Sequence, residues 1–159
     1  MSQLRVRDLM TTQVITVRPT DTVRQAVIRM AVDNVSGAPV VDNRNHVLGM
    51  LSQTDILKLI LKYQEKLDAK DEGHLLNSPL DVSTASEALD NANHEISDIK
   101  VQDIMVHCTL STTADAEIIE ALQAMMKLNV GRLPVLEQGV LVGTISRSDI
   151  IFYIYKKKI

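Results

Sequence analysis

Tryptophan is absent from this 159-residue chain, phenylalanine occurs once and tyrosine three times, so aromatics make up only 3% of it. That scarcity of π-faces argues against the stacking platforms on which single-strand binders hold bases. An excess of positive charge is also missing. Seventeen Lys and Arg stand against 20 Asp and Glu, a formal net charge of −3, the wrong sign for an electrostatic hold on a phosphate backbone. The expectation is a protein without a nucleic-acid partner. Cysteine is reduced to Cys108, which has no internal disulfide partner and fits a reducing compartment. His46, His74, His94 and His107 are scattered without zinc-site spacing and read as solvated surface. The most apolar run, Ile56 to Leu61, is short and broken by Lys58, and Met1 to Asp8 has no signal core. The chain therefore reads as cytoplasmic, with no membrane insertion. A Gly-rich phosphate loop is lacking, as is an activating partner for Cys108, so the expectation is a non-enzyme needing no cofactor or metal.

What is present is hydrophobic content of 45%, enough for one compact core, and a sequence written twice. Val6-Arg-Asp-Leu-Met10 returns as Val101-Gln-Asp-Ile-Met105, 95 positions on. Ala26, Met30, Asn34, Val35, Pro39 and Val40 reappear unchanged as Ala121, Met125, Asn129, Val130, Pro134 and Val135. From Gly49 the shift is 94: Gly49, Ser52, Asp55 and Ile56 match Gly143, Ser146, Asp149 and Ile150, one residue having been lost between Asp42 and Val47. Turns tolerate such changes. Identity and apolar pattern kept in one register mean duplication.

Each copy reads as strand, helix, strand, strand, helix, an α/β class. Val14–Val17 is a β-branched run ended by Pro19, and Thr22 with Gln25 forms a capping box. Val23, Ala26, Val27, Met30 and Ala31 share one helical face, as do Ile118, Ala121, Leu122, Met125 and Met126. Glu117 replaces the capping Thr in the second copy, which makes Asp115 the expected cap. Pro39–Val41 and Val47–Leu51 flank a polar turn and predict a hairpin, repeated by Leu133–Leu136 and Val140–Ile145. The closing helices, Ser52 to about Lys62 and Ser146 to about Lys156, carry Ile and Leu on more than one face and predict burial on two sides. Residues 1–62 are the first repeat, 100–159 the second, and 63–99 an acidic, solvated insertion with short helical pieces at Leu75-Leu76 and Glu87–Leu89. A unit of some fifty residues buries too little alone, so the copies are expected to share one core.

The chemistry-bearing pattern is Gly49-Met-Leu-Ser52-Gln-Thr-Asp55 and its copy Gly143-Thr-Ile-Ser146-Arg-Ser-Asp149. Two readings stand side by side. Ser-x-x-Asp is a capping box that stabilises a helix start and nothing more. The same geometry offers free amides and the positive dipole end to a phosphate, and a carboxylate to both hydroxyls of a ribose.

These motifs, with Ala38-Pro-Val-Val-Asp42, Leu133-Pro-Val-Leu-Glu137 and the Val-x-Asp-Leu/Ile-Met openings, resemble the cystathionine-beta-synthase (CBS) domain pair, or Bateman module. The resemblance covers both copies but not the insertion. It implies two β-α-β-β-α repeats packed as a pseudo-twofold pair, whose clefts bind an adenosine nucleotide such as AMP, ADP or ATP, or a related adenosyl ligand, and regulate a partner protein. By that resemblance Asp55 and Asp149 contact ribose. Ser52, Ser146, Thr16 and Ser111 offer hydroxyls, and Ala38 and Leu133 lie near the base. Arg132 and Arg147 occur only in the second copy, opposite Gly37 and Gln53, and read either as solvated surface or as the charge beside a phosphate. Phe152 to Tyr155 before Lys156-Lys-Lys158 read as core or dimer contact rather than a membrane-touching helix. The expectation is a stand-alone, homodimeric sensor of an adenosine nucleotide; the competing class is a ligand-free interaction module.

Overall fold

The computed structural model describes residues 3–75, 87–107 and 110–156; Cys108, Leu76, Lys157 and Lys158 lie outside the described residues. Thr22 opens the first long helix. Its hydroxyl accepts the Gln25 amide at 3.1 Å while Gln25 Oε1 accepts the Thr22 amide at 2.9 Å, closing the predicted box. After a short helix α1 (Val6–Leu9), α2 runs Val23–Val32 and buries Val23, Ala26 and Met30, the inner part of the predicted stripe. The matching helix α5 (Ile118–Leu128) buries Ala121 and Met125. Both are followed by a left-handed asparagine, Asn34 and Asn129, each with φ 52°. Asn tolerates that region better than other non-glycine residues, which explains why Asn-Val is repeated there. The reversal lets Val35 donate to Met30 and Val130 to Met125, both at 3.0 Å.

β1 (Gly37–Val41) and β2 (Val47–Ser52) form a two-stranded sheet, as the hairpin pattern predicts. The second sheet has the order β3-β4-β5, with β3 Thr112–Thr113, β4 Arg132–Glu137 and β5 Val140–Ser146. β3 lies parallel to β4 with Thr112 opposite Val135, and β4 lies antiparallel to β5 with Arg132 opposite Ser146, a bulge breaking the register after Val135. The first-copy strand is shorter than predicted. Val14, Ile15 and Thr16 are irregular and only Val17 makes a bridge. The Arg18 amide donates to Asp21 Oδ2 at 2.8 Å and is spent in a turn instead of a ladder, whereas the residue matching Asp21 is Ala116, with no carboxylate. The second-copy cap is also corrected: Glu117 holds the N-cap position without a side-chain bond, and Asp115 pairs with Arg7. Arg7 and the backbone geometry leave Asp115 outside the helix start.

α3 (Gln53–Ala69) runs well past the predicted end, and α4 (Glu87–Asp98) extends the predicted piece at Glu87 over three turns, packs on α2 and α3, and buries Ala92. The last helix, α6, spans Arg147–Lys156. Among the described residues the architecture is thus a mixed α/β arrangement of six helices and two small sheets.

The chain divides into two compact units that interleave the copies. The first holds Met1–Thr16, Pro39–Met50 and Val106–Ile159; the second holds Val17–Ala38 and Leu51–Met105. In the first, Val6 sits in a core of Ala114, Ala121, Met125, Leu133, Val135, Ile145 and Ile150, all from the second copy. In the second, Val101 and Met105 are buried, as are Val23, Ala26, Met30 and Leu51 of the first copy. Each copy's opening segment therefore completes the other copy's core. The backbone bonds repeat in register: Val6 donates to Ala116 and Val101 to Asp21, both at 2.9 Å, while Ile118 donates to Leu4 at 2.9 Å and Val23 to Ile99 at 2.8 Å.

Candidate functional site

Both β2 and β5 end on a serine that caps the following helix. Ser52 has extended backbone, φ −121° and ψ 163°, which turns its hydroxyl onto the first turn of α3. The Asp55 amide donates to Ser52 Oγ at 3.3 Å, and the Ser52 amide and hydroxyl donate to Asp55 Oδ2 at 2.9 and 3.0 Å. In the second copy the Asp149 amide donates to Ser146 Oγ at 3.1 Å and the Ser146 amide to Asp149 Oδ2 at 2.9 Å. The capping geometry is present twice. Each carboxylate is pinned through Oδ2 at a helix start, where the dipole favours negative charge.

Beyond the boxes the copies diverge. Asp149 Oδ1 lies 3.5 Å from Thr11 Oγ1. The residue matching Thr11 is Val106, so Asp55 has no such hydroxyl from the opening segment. Arg132 donates from Nη1 to Thr144 Oγ1 at 3.3 Å, and Thr144 is fully buried. Arg147 donates through its amide to the Gly131 carbonyl and through Nη2 to Asn129 Oδ1, both at 3.0 Å, while its buried Nε has no hydrogen-bond partner among the described residues. At the position matching Arg132 stands Gly37, where a Cβ would meet the Leu51 carbonyl oxygen at 3.2 Å. That approach is tighter than an ordinary contact, so a side chain there would press on main chain, and Gln53 stands where the second copy has Arg147.

The structure brings Thr16, Ser111, Arg132, Leu133, Ser146, Arg147 and Asp149 into the first unit, and Ala38, Ser52 and Asp55 into the second. Ser111 is exposed and Thr16 half-buried. Ala38 at 0% and Leu133 at 1% exposure are core residues of their strands. Sequence reading missed three participants. Asn129 carried a signal, its exact repetition as Asn34, but its role as the acceptor for Arg147 did not. Thr144 and Thr11 gave none, because their partners Arg132 and Asp149 are fixed by pairing across strands and across the duplication. Among the described residues no group of three or more His, Cys, Asp or Glu is placed to hold a metal ion, and no helix is long and apolar enough to cross a membrane.

Comparison with known proteins places this duplicated arrangement in a family. The CBS domain pattern matches residues 6–62 and 101–156. The chain belongs to the CBS-domain family. It is 31% identical over 156 residues to an uncharacterized protein, MJ1426, of Methanocaldococcus jannaschii, covering 92% of this chain and 88% of that one. Three longer relatives contain the matched region as a part, since the chain spans 41%, 32% and 38% of their lengths. Among solved structures, CBSX2 in complex with AMP superposes with a TM-score of 0.71 at 22% identity, over 98% of each chain. The CBS domain pair of MJ0100 in complex with 5'-methylthioadenosine and S-adenosyl-L-methionine superposes with 0.69 at 17% identity, over 98% of this chain and 99% of that one. At such identities the likeness establishes the fold.

Proposed function

We propose that this chain is a non-enzymatic regulatory module that binds an adenosine nucleotide, or a related adenosyl ligand, at its duplicated Ser-x-x-Asp sites. One observation carries the reading: in both copies the cap engages Oδ2 of the aspartate, at 2.9 Å from its own serine amide, so Oδ1 is the oxygen that a ribose hydroxyl can reach. That CBSX2 carries AMP, and MJ0100 methylthioadenosine and S-adenosylmethionine, supports the ligand class. Ser52, Ser146, Thr16 and Ser111 supply hydroxyls in this reading, and the strands carrying Ala38 and Leu133 supply an apolar floor for the base. Arg132 and Arg147 belong to the second copy alone, so the more anionic ligand goes there. Arg147 Nε, buried and without an acceptor among the described residues, supports that choice, because such a donor is costly until an acceptor arrives.

The repeats, residues 1–62 and 100–159, act as one module with 63–99 between them, in the cytoplasm. Ligand shifts a conformational equilibrium only as far as it prefers one state, and the partner protein reads the shift. A second copy of the chain covers the apolar helix faces: Ile28 on α2, Leu57 and Leu61 on α3, and Phe152 and Tyr155 on α6 are all exposed, Phe152 by 62%. A second reading, a ligand-free interaction module, is favoured by one fact, that both capping boxes are satisfied internally.

A thermal-shift series with AMP, ADP, ATP, methylthioadenosine and S-adenosylmethionine separates the two. A ligand at a hundred times its Kd adds about 2.7 kcal/mol, which for a chain of this size raises Tm by about 5 to 10 °C. No shift with any of them sinks the sensor reading.

A further inference from the structure

The helix pairs of the two copies differ in relief. Between α2 and the start of α3 lies an open apolar groove of about 400 Å³, rimmed by Val27, Ala31 and Leu57 over a floor of Met30, Val35 and Ile56, with Asn34 and Gln53 completing its lining. In the second copy the positions of Ala31 and Gln53 are held by Met126 and Arg147, and Arg147 Nη2 donates at 3.0 Å to Oδ1 of Asn129, the residue matching Asn34. A longer side chain and a side-chain bridge thus stand where the first copy is open.

α6 is built the opposite way. Three of the chain's four aromatic residues lie on it, and Phe152 and Tyr155, one turn apart, are exposed by 62% and 65%. Ile151 beside them and Met126 on α5 are exposed too. Large aromatics with few rotatable bonds anchor interfaces when they enter a pocket on the partner. The first-copy residues matching Phe152 and Tyr155 are Lys58 and Leu61. Pairing like faces between two molecules leaves the groove empty and brings two Lys58 ammonium groups to one surface. Pairing unlike faces fills the groove and gives Lys58 an aromatic ring in place of a second cation.

We infer that two molecules of this chain pair unlike faces, the α2/α3 groove of each receiving Phe152 of the other. The inference rests on the dimer proposed above and adds its orientation. Made twice about a twofold axis, the contact closes as a dimer. The duplication has thereby diverged into a socket, with Ala31 at its rim, and a plug, with Phe152 at its tip.

The test is sedimentation equilibrium of the wild-type chain, Ala31→Met, Phe152→Ala and an equimolar mixture of the two variants. Both positions are exposed, so either variant keeps its fold, which far-UV circular dichroism checks. Ala31→Met fills the groove with the residue that the second copy carries, and Phe152→Ala removes the plug. Each alone alters both contacts of the dimer and is expected to weaken it about 100-fold, at about tenfold per contact. In the mixed dimer one contact is unaltered, and the other sets the filled groove against the missing plug, so the mixture is expected to bind about tenfold more tightly than either variant alone. Ala31→Met pairing as tightly as wild type, or a mixture no tighter than its components, overturns the pairing of unlike faces while the dimer itself stands. A monomeric wild-type chain overturns the dimer along with it.

Discussion

The Val6 amide donates to the carbonyl of Ala116 at 2.9 Å, joining residues 110 positions apart, and Val101 repeats the bond with Asp21 at the same distance. Through these bonds each opening segment becomes the edge of the opposite copy's core. The duplication is therefore stabilised as a pair of exchanges, which neither copy makes alone.

Val6→Ala and Val101→Ala should each cost about 1.5 to 3 kcal/mol, because both side chains are 0% exposed and each leaves a cavity in a shared core. Val32→Ala, at 78% exposure, should change stability by about 0.5 kcal/mol or less. Urea unfolding decides it: if Val6→Ala proves as mild as Val32→Ala, the exchange contributes nothing.

Gly143→Ala should destabilise by about 1 to 3 kcal/mol, since the new methyl meets the Thr11 carbonyl oxygen at 2.7 Å and main chain cannot easily yield. Gly131→Ala meets nothing within 4 Å and should range from neutral to about 1 kcal/mol more stable, through the reduced freedom of the unfolded chain. Differential scanning calorimetry of the two variants should show opposite or at least unequal shifts; equal shifts count against the close approach.

Asp55→Ala and Asp149→Ala remove half of a capping box and, on the function proposed above, a ribose contact with it. Affinity at the altered site should fall about 10- to 150-fold, about 1.5 to 3 kcal/mol, and stability by about 0.5 to 1 kcal/mol. Measured together, the two losses separate the readings. Unchanged affinity with lowered stability favours the ligand-free module.

Acid should loosen the first hairpin turn through Asp42. Its carboxyl is held below the ordinary 3.8 first by the His46 amide, with the Arg44 amide and nearby positive charge adding and partial desolvation opposing. Both amides donate to Oδ1, at 2.9 and 2.8 Å. A carboxyl lowered in the folded state contributes stability above its unfolded value of 3.8 and loses it as pH falls through the lowered value. Asp42→Asn should therefore show a shallower fall in Tm than wild type below pH 3.8 and a parallel course above it. Identical slopes in that acid range count against the turn as the origin.

Much of this protein is legible in its sequence, and the legible part is mostly local. A capping box closes over three residues, so Thr22 with Gln25 and Ser52 with Asp55 announce themselves in sequence, and the stripe of Val23, Ala26 and Met30 follows from helical period. The duplication and the α/β class were legible too, and so was the Ser146–Asp149 box. Local signals also misled where a nearby group competed: Val14–Val17 has the composition of a strand, but Asp21 takes the Arg18 amide, and Asp115 looks like a cap until Arg7 engages it. Only the tertiary structure decided the exchange of opening segments, the bare Gly37 opposite Arg132, and the pairing of Thr11 with Asp149. Each joins residues far apart in the chain, set by backbone bonds and close approaches that no short window of sequence contains. The two copies share their Ser-x-x-Asp caps because such caps are written in four residues. Around those caps they differ in part through distant residues, Thr11 standing 3.5 Å from Asp149 Oδ1 while the matching Val106 carries no hydroxyl.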